Sequence, residues 1–391
     1  MQDHRAVVIG GGIGGLTAAA ALHHRSWDVT VLERAPSVEP VGAGIGLAAN
    51  AQAALDTFGA GDAVRALAGW HAGGGLRLPG GTRLSWTDNE AAGRRYGSPL
   101  VVAHRADLID LLAARLPDGA LRTGTTATLA DPGGPDRPAR VTTGDGELTA
   151  GLVVAADGIH SPTRRSLFPG HPGLRYSGIT CWRTVVPRPA AVTDEQASEA
   201  HETWGRGRHW GTIPLHDGRL YAYAGAKVPA GVRGRDGELA ALRHLFGDWH
   251  QPVPAILDAA DPAAVLRNEV HTLAAPLPAH HRGRTVLVGD AAHPMLPNLA
   301  QGGCQAIEDG AVLALLLADA GNDPFAALPE YTRRRLPRTT EIVRRSARVA
   351  RLATLSSAPA RAVRAGAVAL AGRLGPALVL RAHDGIADWR P

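Results

Sequence analysis

Gly10, Gly12 and Gly15 stand at the spacing GxGxxG, with Gly14 inside the run, and an acid, Glu33, follows about 20 residues on, with Arg34 beside it. Glycines so spaced suit a dinucleotide. The first permits a tight turn, the second lets backbone approach a pyrophosphate, and the third lets a helix pack closely on a sheet. Amides at that helix start face the phosphates, while the Glu33 carboxylate can accept hydrogen bonds from a ribose diol and would repel a 2′-phosphate. This loop alone leaves FAD, NAD or both in succession open. Two further acids, Asp157 and Asp290, each close an apolar run, and strand ends carry ligand chemistry in parallel sheets. Arg105, ahead of an amphipathic helix, reads either as a surface residue or as a planar fork on a cofactor phosphate.

The elements that must hold these residues follow from periodicity. Residues 7–9 read as a strand, 16–22 as an Ala-rich helix and 28–32 as a second strand, a Rossmann-like opening. Residues 42–47 form a second glycine-rich stretch, read equally as a loop over a cofactor or as a strand bent at Gly44 and Gly46; a helix runs from Ala49 to about Phe58. A hairpin over 76–86 reads as an excursion into another domain. The chain returns with a strand at 101–102, a helix from Asp107, two strands about the 144–146 turn, and the buried run 152–156.

Between 176 and 271 the βα alternation disappears. Strands are expected over 176–186, 204–215 and 220–228 and near Val270, with a helix over 239–249; Trp182, Trp204, Trp210, Tyr221 and Tyr223 either line a pocket for a flat ligand or fill the core of this sheet. A last buried strand, 285–288, leads to Asp290, Pro294 and Pro297, and then Gln301, Gly302 and Gly303 open an apolar helix over 304–317. Such a helix start beside a flavin would stabilise the negative charge of the reduced ring. From Pro329 the chain is mostly helix, broken at Gly375-Pro376.

The fold class is therefore α/β: a Rossmann-like domain from 1–70, 99–175 and 271–330, a mostly antiparallel substrate domain from 71–98 and 176–270, and C-terminal helices over 331–391. At 391 residues and 45% hydrophobic the chain can bury a large core. No apolar run reaches the roughly 18 residues of a spanning helix, and the first strand begins too early to leave room for a signal peptide. A cytoplasmic protein is expected. Cys181 and Cys304 are in no metal-like spacing, so no metal site is expected. The net charge of +5 comes from 40 Arg and a single Lys, Lys227, a skew that a GC-rich coding bias explains. The basic run 333–351 has helical spacing, includes Glu341 and lacks interleaved aromatic rings, which fits a solvated or docked helix face and no nucleic-acid partner.

Taken in order, Gly10-x-Gly12-x-x-Gly15, the run from Asp157-Gly158 to Arg164, and Gly289-Asp290 resemble the three motifs of the class A flavoprotein monooxygenases, the group of para-hydroxybenzoate and salicylate hydroxylases. The resemblance spans essentially the whole chain. It implies FAD held by Gly10, Gly12, Gly14, Gly15, Glu33, Arg34, Gly46, Arg105, Asp157, Asp290, Pro297, Gly302 and Gly303, with Arg105 at the phosphates and Asp290 at the ribityl or ribose hydroxyls. It also implies NADPH or NADH as a transient co-substrate and O2 activated as a flavin C4a-hydroperoxide. The substrate implied is a small aromatic or polycyclic molecule that is hydroxylated or epoxidised, by a monomer or homodimer. A flavin-dependent reductase or dehydrogenase and a non-catalytic flavin-binding subunit are the rival readings on this fold.

Three departures stand out. Ala300 precedes Gln301-Gly302 where many relatives carry Gly, and a positive φ there would strain it. The WxWxIP motif of the related halogenases keeps Ile213-Pro214 but has His209 and Gly211 at the tryptophan positions. In relatives resembling urate hydroxylase an Arg and a Tyr on adjacent strands contact substrate; here His209 and Tyr221 take those places. His209 is the candidate base for a phenol if its pKa is near neutral, and otherwise a hydrogen-bonded strand histidine; His216 and His293 are weaker candidates. Arg183 is the third catalytic candidate, provided that its strand turns it toward the cleft.

Overall fold

The β-branched run before Gly10 and the alternating apolar residues before Glu33 favour extended chain. In the computed structural model, which describes residues 4–38, 43–68 and 73–391, they form the middle of a six-stranded sheet. Its order is His281–Arg282, Thr285–Leu287, Leu152–Ala155, Arg5–Ile9, Asp28–Leu32 and Leu121–Arg122, parallel except for the antiparallel pair at the first edge. Both faces are covered, as parallel sheets require. Val8 and Val154 face the helices Ile13–His23 and Gly302–Asp319, while Val7, Val153 and Leu287 face Leu129 and Val141 of a three-stranded antiparallel sheet. The two helices approach closely because Gly310 has no side chain: a Cβ there would stand 2.8 Å from the Ala18 nitrogen.

Helix Gly302–Asp319 carries two acids, Glu308 and Asp309, with no exposed surface in its otherwise apolar middle. Carboxylates so placed need cations and hydrogen bonds. Arg335, from helix Pro324–Ala353, supplies both: its Nε donates to Asp309 Oδ1 at 2.7 Å and its Nη1 to Glu308 Oε2. Arg338 donates twice more to Glu308, at 2.8 Å each, and Asn50 Nδ2 donates to it at 2.6 Å. Burial alone would raise both carboxyl groups; Arg335 with Arg338 holds Glu308 below its usual range, and His293 with Arg335 holds Asp309 well below its own. The basic run is thus a docked face at Arg335 and Arg338, while Arg333 and Arg334 stay exposed.

The second large sheet has seven strands, in the order Leu266–Leu273, Leu174–Val186, Leu220–Lys227, Arg208–Pro214, Ala200–Trp204, Gly74–Arg77 and Arg83–Thr87. All neighbours are antiparallel except Ala200–Trp204 beside Gly74–Arg77, where the expected hairpin joins the sheet. The single strand expected over 204–215 is two strands. Gly205 N donates to the Arg208 carbonyl at 2.8 Å, and Gly207, at φ +69°, lets the chain reverse there. One face packs Trp182 and Trp210 against Phe246 and Trp249 of the covering helical segment. These two strand tryptophans fill the core, whereas Trp204, Tyr221 and Tyr223 lie on the opposite face.

Residues Gly44–Leu47 form a strand, paired antiparallel with Val101–His104. Gly42 and the expected boundary near Trp70 lie outside the described residues. Arg105 opens helix Arg105–Ala113 rather than preceding it, and the C-terminal helices Pro324–Ala353, Ala358–Leu374 and Pro376–Leu380 break at Gly375 as expected, with an additional break after Ala353. No described helix is long and apolar enough to cross a membrane, and no metal-binding cluster occurs among the described residues. Replacing Arg335 by Leu removes the guanidinium that both buried carboxylates share and should cost about 3–5 kcal/mol. Urea unfolding would show it as a large fall in midpoint, against no measurable change for the exposed Arg333→Ala.

Candidate active site

Four strands of the parallel sheet end together, and each is followed by a residue singled out above. Gly10 follows Arg5–Ile9, Glu33 follows Asp28–Leu32, Asp157 lies just past Leu152–Ala155, and Gly289-Asp290 lies just past Thr285–Leu287. Gly10 has φ +108°, and a Cβ there would stand 2.4 Å from the Ala156 carbonyl oxygen; at Gly15 it would stand 1.9 Å from the Gly10 oxygen. Both glycines are needed to close the turn. Gly12 differs: a Cβ there meets nothing within 4 Å. The loop presents open backbone at that one point, as approach to a pyrophosphate demands.

The surrounding acids are partly committed. Glu33 accepts from Gly11 N at 2.6 Å and Ala35 N at 2.8 Å, which fixes its carboxylate beside the glycine loop; Arg34 is exposed. Asp157 Oδ2 accepts from Thr163 N at 3.0 Å, but its Oδ1 is buried without a partner among the described residues. Arg164, named in the sequence only as part of a motif, is buried and joins the two acid-bearing loops: it donates to the Ala291 carbonyl at 2.9 Å and to the Ile159 carbonyl at 2.6 Å. Asp290 is exposed on a short turn, and that turn is anchored from behind by Gly289 N donating to Asp309 at 2.8 Å. Arg105 points into the space between the two large sheets. Burial and the nearby Arg183 both lower its pKa, with Asp290 and Tyr221 also close, and its guanidinium has no hydrogen-bond partner among the described residues. Two guanidinium groups sharing one low-dielectric space favour an anion between them.

Beyond the Gly289 turn, Pro297 begins a short 3-10 turn that ends at Ala300 with φ +51° and ψ 32°. Ala300 thus takes the left-handed conformation in which an alanine is strained. Gly302 and Gly303 then open the 18-residue helix, and a Cβ on Gly303 would stand 2.7 Å from Ile45 of the Gly44–Leu47 strand. Gly46 lies in the same strand, facing Ala300.

The seven-stranded sheet faces this assembly with alternate residues. In one row, Arg183 pairs with Tyr223, Tyr223 with Gly211 and Gly211 with Glu202. Beside it, Cys181, Gly225, His209 and Trp204 make a second row, and Val185, Tyr221 and Ile213 a third. Arg183 is therefore on the cleft face, held by Asn268 Oδ1 at 2.6 Å. Three rings lie where neighbours lack side chains. A Cβ would meet the Tyr221 ring at 2.5 Å from Gly44, the Tyr223 ring at 2.0 Å from Gly211, and the His209 ring at 2.2 Å from Gly225. The Gly211 position is thus filled by Tyr223, which leaves no room for the second tryptophan of the halogenase motif.

His209 departs from expectation. It is 2% exposed, its Nδ1 is buried without a partner, and burial pushes its pKa down to about 4. A neutral imidazole of that kind is a poor base for a phenol. Glu202 was not anticipated: it lies on the cleft face, and burial pushes its carboxyl up to about 7. His216 sits by a turn near Asp107, and His293 belongs to the Asp309 network, so neither faces the cleft row.

Two outcomes are expected here. Replacing Ala300 by Gly relieves about 1–2 kcal/mol of left-handed strain and gives back up to about 1 kcal/mol in unfolded-chain entropy. Thermal unfolding should therefore show a small net stabilisation. His209 has a folded pKa below its unfolded value, so the unfolded chain binds more protons between those values and stability falls as pH drops. The difference in unfolding free energy between pH 7 and pH 5 should shrink by about 1–2 kcal/mol in His209→Gln.

Residues 3–346 match the family model described as FAD binding domain. Among similar proteins, the aurachin C monooxygenase/isomerase of Stigmatella aurantiaca is 36% identical over 346 residues, 88% of each chain. The 3-amino-4-hydroxybenzoate 2-monooxygenase of Streptomyces cremeus is 34% identical over 363 residues, 89% of this chain and 87% of that one. Among solved structures, Klebsiella pneumoniae HpxO complexed with FAD and uric acid superposes with a TM-score of 0.86 at 27% identity, covering 99% of this chain and 97% of that one.

Proposed function

The chain belongs to this FAD-binding family and is an FAD-dependent monooxygenase that uses NAD(P)H and O2 on aromatic compounds; on that premise we propose that its substrate is a phenol or a hydroxylated nitrogen heterocycle seated against Arg183, Tyr221 and Tyr223. The observation that carries this reading is the single sheet face on which a fixed guanidinium and two tyrosine rings converge toward the Arg105 side of the cleft. An aromatic ring can stack there. Its phenolate or another anionic group can meet Arg183, whose planar fork suits an oxyanion. Among similar proteins, the aminohydroxybenzoate and urate enzymes act on hydroxylated or nitrogen-bearing rings by name, which supports the same class.

FAD fits the residues at the strand ends. Gly10, Gly12, Gly14 and Gly15 would take the pyrophosphate, Glu33 with Arg34 the adenosine ribose, and Arg105 a phosphate. Asp157 and Asp290 would take hydroxyl groups, the former through its unpartnered Oδ1. Pro297, Gly302 and Gly303 would shape the flavin edge below Gly46, with the helix start stabilising negative charge there. Bound flavin supplies electron transfer from NAD(P)H and oxygen transfer to the ring. The protein's part is to hold the ring, orient it and exclude water. The proposed division of labour is a cofactor domain from 1–70, 99–175 and 271–330, a substrate domain from 71–98 and 176–270, and C-terminal helices over 331–391, acting as a monomer or homodimer. The buried free thiols of Cys181 and Cys304 suit a reducing cytoplasm.

Two measurements test this. Gly12→Ala should leave the stability of the flavin-free protein unchanged and weaken FAD binding at least about tenfold, because the added methyl meets only cofactor. A flavin titration followed by fluorescence would show it; unchanged affinity would remove the pyrophosphate assignment. A panel of phenols should stimulate NAD(P)H oxidation with product formed, and Arg183→Ala should raise KM about 10–100-fold while kcat changes little. If no phenol or hydroxylated heterocycle stimulates turnover, the substrate class is wrong.

A further inference from the structure

We propose that Glu202, acting through the Tyr223 hydroxyl, receives the proton of the substrate's ring hydroxyl, so that the ring is oxygenated as its more electron-rich phenolate; this rests on the phenol reading above. The strand register puts Arg183, Tyr223, Gly211 and Glu202 in one row across four strands. Because Gly211 has no side chain, the Tyr223 ring lies across its strand: a Cβ at 211 would be 2.4 Å from the tyrosine oxygen. That crossing brings the hydroxyl to 3.5 Å from Glu202 Oε2, and Oε1 accepts from Trp204 Nε1 at 2.9 Å. Among the described residues no ion pair involves Glu202.

A carboxylate on a buried sheet face with only neutral donors around it is an unusual investment for packing alone. Its carboxyl, near 7, is matched to proton transfer around neutral pH. The other titratable groups facing this corner serve less well. His209, from the strand between, stands edge-on to Tyr223 at 6.5 Å and is held near 4. Tyr221, 5.8 Å from Tyr223, and Cys181 are both pushed up to about 12 by burial. Arg183, across the row, is a permanent cation and accepts no proton.

The transfer balances without a redox partner. The substrate O–H bond breaks and its electron pair stays on the ring oxygen; that proton passes to the Tyr223 oxygen as the tyrosine's own proton passes to Glu202 Oε2. Glu202 later returns a proton to solvent. Glu202 is a positioning and relay residue in this scheme, with Tyr223 the group in contact with substrate.

The test compares holoenzyme carrying Glu202→Gln or Tyr223→Phe with the wild type on two probes, phenol and 4-nitrophenol, the second already ionised at an alkaline assay pH. With phenol, kcat should fall at least about tenfold in each variant with KM within about threefold, and the acidic limb of the wild-type kcat/KM profile should disappear in Glu202→Gln. With 4-nitrophenol the loss in each variant should be at least about threefold smaller than with phenol, since the proton is already gone. Equal losses on both probes, or an unchanged acidic limb in Glu202→Gln, would overturn the relay. A wild type inert toward both probes would overturn the phenol reading itself, and is told apart because it needs no variant. Unchanged flavin absorbance in both variants verifies that the fold is intact.

Discussion

Two acids in the middle of an apolar helix impose the strongest constraint on this molecule. Glu308 and Asp309 have no exposed surface, and their charge is tolerable only because Arg335 and Arg338 arrive from another helix and Asn50 from a third. The same Asp309 carboxylate receives the Gly289 amide and His293, so the charge cluster also sets the turn that carries Asp290. Helix packing and cofactor-loop geometry thus share one carboxylate. The helix cannot slide relative to the sheet without uncovering a buried charge, and the close passage of Gly310 against Ala18 holds it from the other side.

The two large sheets solve different recognition problems by different means. On the parallel sheet, function resides in backbone: glycines that close a turn at 10 and 15 and leave it open at 12, amides at a helix start and acids at strand ends. A dinucleotide is a fixed shape, and main chain suits it. On the antiparallel sheet the backbone is regular, and recognition falls to alternating side chains, with the opposite face sealed by Trp182, Trp210, Phe246 and Trp249. A flavin enzyme can therefore change what it oxidises on the second sheet while the first stays as it is.

These differences also decide what was readable from sequence. The strand–glycine–helix opening and the acids at 33, 157 and 290 were legible because each is a local pattern with its own backbone requirement. Ala300 was legible only conditionally, as a residue that a left-handed backbone would strain. The long strand over 204–215 was misread because Gly205 and Gly207 look like weak points in a strand, whereas they form a turn that pairs two strands. Arg183 had no assignable face until pairing fixed its row, and a lone glutamate in an alternating strand gives no hint that, like Glu202, it lies inside a cleft. His209 was readable as a base only on the condition of a near-neutral pKa, and the burial that lowers it, against Gly225, is a cross-strand property. The inward arginines did have a signal: adjacent acids inside an apolar helix require cations, and the basic run 333–351 was the available source.

The cleft face is shaped as much by missing atoms as by present ones. Tyr221, Tyr223 and His209 each rest in a slot left by a glycine, at 44, 211 and 225. A one-nucleotide change at any of those codons adds a side chain directly against a ring and must displace it. Divergence among descendants of this gene can then proceed through the floor of the site, altering which molecules fit while every group that meets the flavin is inherited unchanged.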